Sequence, residues 1–200
     1  MAKRLSPVGL IRAVHDGLAG ADIAHAFGGA IALAYYVAEP RPTRNLDLDV
    51  AVSADRADQV FARLPAGVDY THAEVARARA NGQVRLWYGR PRDGVPIDLY
   101  FPRHRFHGAV GRSAVMRTFD EEGYAIPVIA ADHLAVFKVL YSRPEDWADI
   151  AAMLGAGSLD PDAVLGWVGR LRGEEDPSWR RFADLAAAPV GQARGLKFSK

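Results

Sequence analysis

Three carboxylates in this sequence are spaced to act together. In Leu46-Asp47-Leu48-Asp49-Val50 acids alternate with apolar residues, and Asp98 lies inside a second apolar run, Val95-Pro-Ile-Asp-Leu-Tyr-Phe101. Side chains i and i+2 of a strand share a face. Leu46, Leu48, Val50 and Val52 therefore turn toward a core, while Asn45, Asp47 and Asp49 project together from the other side. Like charges held side by side cost free energy unless a cation joins them. If the two strands are neighbours, Asp47, Asp49 and Asp98 can bracket one Mg²⁺ (or Mn²⁺), or share a metal pair about 3.5–4 Å apart. Magnesium takes few protein carboxylates and completes its shell with water and substrate phosphate, so the constellation points to a nucleotide. The competing reading is a solvent-facing strand face with Asp98 in a local ion pair.

The elements that must position these acids follow from the pattern. Ser6-Pro7 opens a helix with Leu10, Val14 and Leu18 on one stripe, Ser being a favoured N-cap and Pro a favoured first helical residue. A strand-like run, 22–27, enters Gly28-Gly29, an all-apolar helix spans 30–37, and Pro40 and Pro42 break the chain before the strand at 46–52. An amphipathic helix is expected over 55–64 and a weak strand near 68–71. A strand pair is expected at 83–88 and 95–101, joined by Arg90-Pro-Arg-Asp-Gly94, with two more short strands at 114–119 and 124–129. Beyond Asp132 the pattern is helical, with segments over 132–142, 144–154, 160–171 and 177–187. The expected organisation is α+β: a mixed sheet flanked by helices would occupy 1–129, a C-terminal helical region packed on that core 130–190, and a flexible tail 191–200.

Charge and composition narrow the chemistry. The chain has no cysteine, so thiolate metal sites, disulfides and cysteine nucleophiles are excluded, and any metal is held by oxygen or imidazole. Within a net charge of +1, residues 77–117 hold nine arginines (77, 79, 85, 90, 92, 103, 105, 112 and 117) against Asp93 and Asp98. That region reads either as a phosphate-facing edge or as a solvated surface of an arginine-using chain. Only Lys3, Lys138, Lys197 and Lys200 are lysines; the isolated Lys138 suggests a need for a compact ammonium, against the plainer reading of a snorkelling side chain. No apolar run approaches the roughly 20 residues that span a membrane, and the N-terminus lacks a signal-type apolar block. The expected localisation is cytoplasmic.

Taken in order, three features resemble the nucleotidyltransferase superfamily of the polymerase-β type: Gly28-Gly29 before a small-residue helix, Arg41-x-Thr43-x-Asn45-x-Asp47, and the later apolar-Asp98-apolar strand. The segment Asp132-His-Leu-Ala-Val-Phe-Lys138, followed by Arg143-Pro-Glu-Asp146-Trp-Ala-Asp149, is similar to that of the AbiEii-like branch, which includes toxins of toxin–antitoxin pairs. The resemblance covers about residues 25–152. It implies that Gly28 and Gly29 cradle phosphates, that Arg41, Thr43 and Lys138 contact the nucleotide, and that Asp47, Asp49 and Asp98 form the metal and catalytic set, with Asp98 as general base. Arg143, Asp146 and Asp149 are further candidates, although acids in the first turn of a helix are favoured in any case. His104 and His107 are read either as phosphate contacts or as surface residues.

Two positions depart from the family pattern. Asn45 stands where an acid is usual, so either the metal pair has moved one same-face step to Asp47 and Asp49, or a ligand has been lost. Glu145 replaces a basic residue. The implied activity is Mg-dependent transfer of an NMP from an NTP to an acceptor hydroxyl. The leading acceptor is RNA such as a tRNA 3′ end, with a cognate antitoxin as protein partner. The alternatives are a small-molecule transferase of the aminoglycoside type and an inactive nucleotide- or partner-binding module.

Overall fold

The computed structural model describes residues 5–188 of the chain; the tail expected at 191–200, and residues 189–190 of the expected helical region, lie outside the described residues. The described residues form two compact units, one of residues 5–31 and 42–129, the other of 32–41 and 130–188. The architecture is the α+β arrangement that the pattern predicts, a mixed sheet with flanking helices and a C-terminal helical region.

The first unit holds a seven-stranded sheet. Its strands are β1 (His25–Phe27), β2 (Leu46–Val50), β3 (Val68–Asp69), β4 (Gln83–Tyr88), β5 (Val95–Tyr100), β6 (Val115–Thr118) and β7 (Ala125–Val128), in the order β3-β4-β5-β2-β1-β7-β6. β2 runs parallel to β5 and antiparallel to β1, and β1 runs parallel to β7. The remaining neighbours are antiparallel. Leu46, Leu48 and Val50 bury one face of β2 as alternation requires, yet Asp49 on the other face is buried too. The reason is α5 (Arg105–Arg112), which packs at the C-terminal end of β2 so closely that a Cβ on Gly111 would lie 2.9 Å from that of Ala51.

Helix α1 (Pro7–Ala19) is capped by the Ser6 side chain and buries Leu10, Val14 and Leu18 on the expected stripe. Helix α2 (Gly29–Leu33) carries the chain from the first unit into the second and is shorter than the expected 30–37. The amides of Tyr35 and Tyr36 bond three residues back instead of four, and the tightened turn leads toward Pro40 and Pro42, which cannot extend a helix. The expected helix over 55–64 is a 3₁₀ turn, Ala54–Arg56, followed by α3 (Ala57–Phe61). Two helices lie outside the elements expected from the sequence. One is α5; the other, α4 (His72–Asn81), buries only Val75 and Ala78. A capping box between Thr71 and Glu74 starts α4, and Gly82, at φ 65°, stops it.

The second unit contains α6 (Ala131–Tyr141), α7 (Pro144–Gly155), α8 (Pro161–Arg172) and α9 (Pro177–Ala187), close to the four expected helices. Proline at the first helical position opens the last three, and Asp160 and Asp176 cap α8 and α9. Leu134, Val139, Trp147, Ile150, Val164 and Phe182 are buried within it. No helix among the described residues is long and apolar enough to cross a membrane.

Candidate functional site

The sheet register puts three charged residues in one row. Parallel pairing of β2 with β5 sets Asp47 beside Asp98, and antiparallel pairing of β4 with β5 sets Arg85 on the other side of Asp98. Arg85 Nε donates to Asp98 Oδ1 at 2.7 Å and its Nη2 to Oδ2 at 2.8 Å, a bidentate charge-assisted pair. Asp98 is only 3% exposed, whereas the Arg85 side chain is 54% exposed and reaches in from solvent. Hydrogen bonding to Asp98 raises the Arg85 pKa above its ordinary value.

Asn45 joins the two acids. Its Nδ2 donates to Asp98 Oδ2 at 3.0 Å and to Asp47 Oδ1 at 3.1 Å. Thr43 Oγ1, 3.1 Å from Asn45 Oδ1, fixes which way the amide faces. The Tyr100 hydroxyl donates to Asp47 Oδ1 at a long 3.5 Å. The glycine pair lies against the same acid: Gly28 N donates to the Asp47 carbonyl at 2.8 Å. Gly29 has φ +51°, and a Cβ there would overlap Asp47 Oδ2. The missing side chain at Gly29 thus makes room for the Asp47 carboxylate itself.

Asp49 lies one same-face step along β2 from Asp47, and α5 supplies its partner. Its Oδ2 is 3.3 Å from His107 Nδ1 on α5, and the His104 ring centroid is 4.6 Å from that of His107. Burial pushes the Asp49 carboxyl above its ordinary pKa, against the lowering effect of the His107 hydrogen bond. Among the described residues no group of three or more His, Cys, Asp or Glu is arranged to hold a metal. The donor chemistry of Asp47 and Asp98 suits a single hard divalent ion that keeps most of its shell for water and phosphate. Asn45 and Arg85 already answer the demand for positive partial charge at that pair.

The other predicted residues gather in the second unit. Lys138, 4% exposed, places Nζ 2.6 Å from Asp149 Oδ2 and 3.5 Å from Asp146 Oδ1. Arg41 reaches the same Asp149 through Nε at 3.1 Å and Nη2 at 3.0 Å, and Arg143 Nε donates to Asp146 at 2.7 Å. Burial pushes Asp149 upward, but the hydrogen bonds from Arg41 and Lys138 outweigh it and hold the carboxyl below its ordinary range. Glu145, at the departure from the family pattern, lies 3.6 Å from Arg143 Nε.

Arg85 is the residue that motif reading passes over, because it is one of nine arginines in its stretch. Hairpin counting reveals it: Tyr88 pairs with Val95, and three residues outward on each strand Arg85 meets Asp98. Two other arginines of that stretch tie down their own unit, Arg79 on Asp58 and Arg103 on the Ala80 carbonyl.

No family model matches the chain, and no curated protein matches it. Among solved structures, the chain is similar to an antigenic nucleotidyltransferase-like protein from Paracoccidioides brasiliensis. The identity is 15% and the TM-score 0.52, over 86% of this chain and 91% of that one. A protein of Helicobacter pylori, provisionally named a nucleotidyltransferase, aligns at 14% identity over 95% and 96% of the two chains, with a TM-score of 0.40 that is too loose to bear on the fold. By its likeness to the first, the chain has a nucleotidyltransferase-like fold.

Proposed function

We propose that this protein is a nucleotidyltransferase that moves an NMP from an NTP to an acceptor hydroxyl, with Asp47 and Asp98 at its chemical centre. The observation that carries the reading is the β2–β5 register, which sets these two carboxylates side by side against the Gly28-Gly29 turn. Asp47 and Asp98 would hold Mg²⁺ or Mn²⁺, which when bound neutralises triphosphate charge and polarises the phosphoryl oxygens. Asp98 takes the proton of the acceptor hydroxyl as that oxygen bonds to the α-phosphorus. The bond from the α-phosphorus to the bridging oxygen breaks, and pyrophosphate leaves with its electron pair. Thr43 and Asn45 orient the two acids, Gly29 gives Asp47 its seat, and Asp49 is a positioning residue tied to α5 through His107.

The AbiEii-like motifs extend the reading to an RNA acceptor such as a tRNA 3′ end, and to a toxin held in check by an antitoxin. The exposed Arg77, Arg90, Arg92 and Arg105 of the first unit are consistent with an RNA-facing surface. A second reading, a binding module without transfer activity, is favoured by one specific observation: Arg85 and Asn45 occupy the carboxylate oxygens that the chemistry needs. The two separate on incubation with α-³²P-labelled NTPs, Mg²⁺ and total RNA. Label carried onto RNA by the wild type and lost in Asp47→Ala supports the transferase. NTP binding without label transfer to RNA, to protein or to an aminoglycoside supports the module.

A further inference from the structure

We infer that Arg85 is a resident competitor of the divalent cation: its guanidinium clasps Asp98 in the resting protein and must leave before the Asp47–Asp98 pair can take a metal. The inference rests on the reading of that pair as the metal-holding centre, and it concerns a residue outside the motifs quoted above.

Both Asp98 oxygens are engaged by Arg85, at 2.7 and 2.8 Å, and Oδ2 also accepts from Asn45. A cation arriving at Asp98 therefore exchanges against a bidentate charge-assisted pair rather than against water alone. The exchange is structurally open because the two partners differ in exposure. Asp98 is fixed in the sheet and buried, while the Arg85 side chain is more than half exposed on β4 and has solvent to move into. Asn45 differs from Arg85 in this respect. Its amide is short and anchored by Thr43, so it sets a lower limit on how negative the pair becomes, whereas Arg85 sets whether the pair is available. Once displaced, the guanidinium remains on the strand next to the acids, and its five donors in a planar fork suit phosphate oxygens. The same side chain thus blocks the centre when nucleotide is absent and can bind phosphate when metal and nucleotide arrive together.

The test reads metal binding by the purified protein with no turnover, by Mn²⁺ electron paramagnetic resonance titration. Wild type is expected to bind Mn²⁺ weakly, and Arg85→Gln to bind it at least tenfold more tightly, with the gain removed again by Asp47→Asn in the same background. Arg85→Lys, which keeps the charge but cannot form the bidentate clasp, is expected to fall between them and guards against misfolding of the Gln variant. Mn²⁺ affinity in Arg85→Gln and Arg85→Lys equal to or below that of wild type, with both variants folded by circular dichroism, would overturn the inference. A tighter metal site in a protein that transfers no nucleotide would retain the competition and reject the transferase, so the two failures are distinguishable.

Discussion

An amide nitrogen carries two hydrogens, and Asn45 spends one on Asp47 and the other on Asp98. Replacing it by aspartate removes both donors and adds a third carboxylate to the row. Asn45→Asp is therefore expected to lose about 1–3 kcal/mol in metal-free buffer, the usual cost of a lost charged hydrogen bond, and to recover much of it when Mg²⁺ is added, in paired thermal melts with and without the ion. Equal melting in both buffers would show that position 45 does not face a metal. At Gly29 the argument is steric: φ is +51° and the space of a Cβ is taken by the Asp47 carboxylate. Gly29→Ala is expected to destabilise by about 1–3 kcal/mol, the range for residues held in sparsely populated backbone regions, and to lower transfer activity sharply by moving Asp47. A variant as stable and active as wild type would contradict that account. Asn45, Asp47 and Asp98 were legible because alternation and a resemblance both pointed to them. Which donors they meet was not legible, because strand order decides whether Asp98 lies beside Asp47.

Helices and strands announce themselves to different degrees, and the reason lies in how each is stabilised. In the second unit proline starts announce α7, α8 and α9, and the mostly apolar run of 134–140 announces α6, whereas α4 has neither and is identified by its Thr71/Glu74 capping box. The site depends on one such unannounced helix, since α5 supplies His107 to Asp49. Where α1 meets β1, His15 Nδ1 lies 2.9 Å from His25 Nε2, and His25 Nδ1 lies 2.8 Å from the Ile23 carbonyl. A carbonyl only accepts, so His25 carries its proton on Nδ1 and takes a hydrogen bond from His15 on Nε2. Burial lowers the pKa of both rings, with His15 further lowering His25 and Asp16 opposing at His15. A histidine whose folded pKa is depressed contributes stability that is present above its unfolded value, about 6.5, and lost as pH falls below it. The wild-type unfolding midpoint is expected to drop between neutral pH and pH about 5 more steeply than that of His25→Gln; parallel profiles would count against the pair. In the second unit Lys138 faces Asp149 and Asp146 from a buried position. Lys138→Met is expected to cost about 3–5 kcal/mol in denaturant unfolding, as when one partner of a buried pair is removed. A cost below about 1 kcal/mol would mean that Arg41 and Arg143 already satisfy both acids.

For the molecule as a whole, a balanced net charge of +1 gives little long-range attraction to a polyphosphate, so on the proposed reading affinity for nucleotide would come from local chemistry, that of the two acids with their cation and of the exposed arginines of 77–117. The α+β architecture was readable from the succession of strand and helix signals, and most expected elements lie within a few residues of those observed. The assignment of 32–41 to the second unit was not readable, because α2 passes between the units with no break in its small apolar sequence. The most direct measurement is isothermal titration calorimetry with a non-hydrolysable NTP analogue, with and without Mg²⁺, on wild type and on Asp47→Asn and Asp98→Asn. Asp47 and Asp98 as the metal–nucleotide centre predict binding that requires Mg²⁺ in the wild type and falls at least tenfold in each variant. Nucleotide binding of equal strength without the ion, or undiminished in both folded variants, would contradict it.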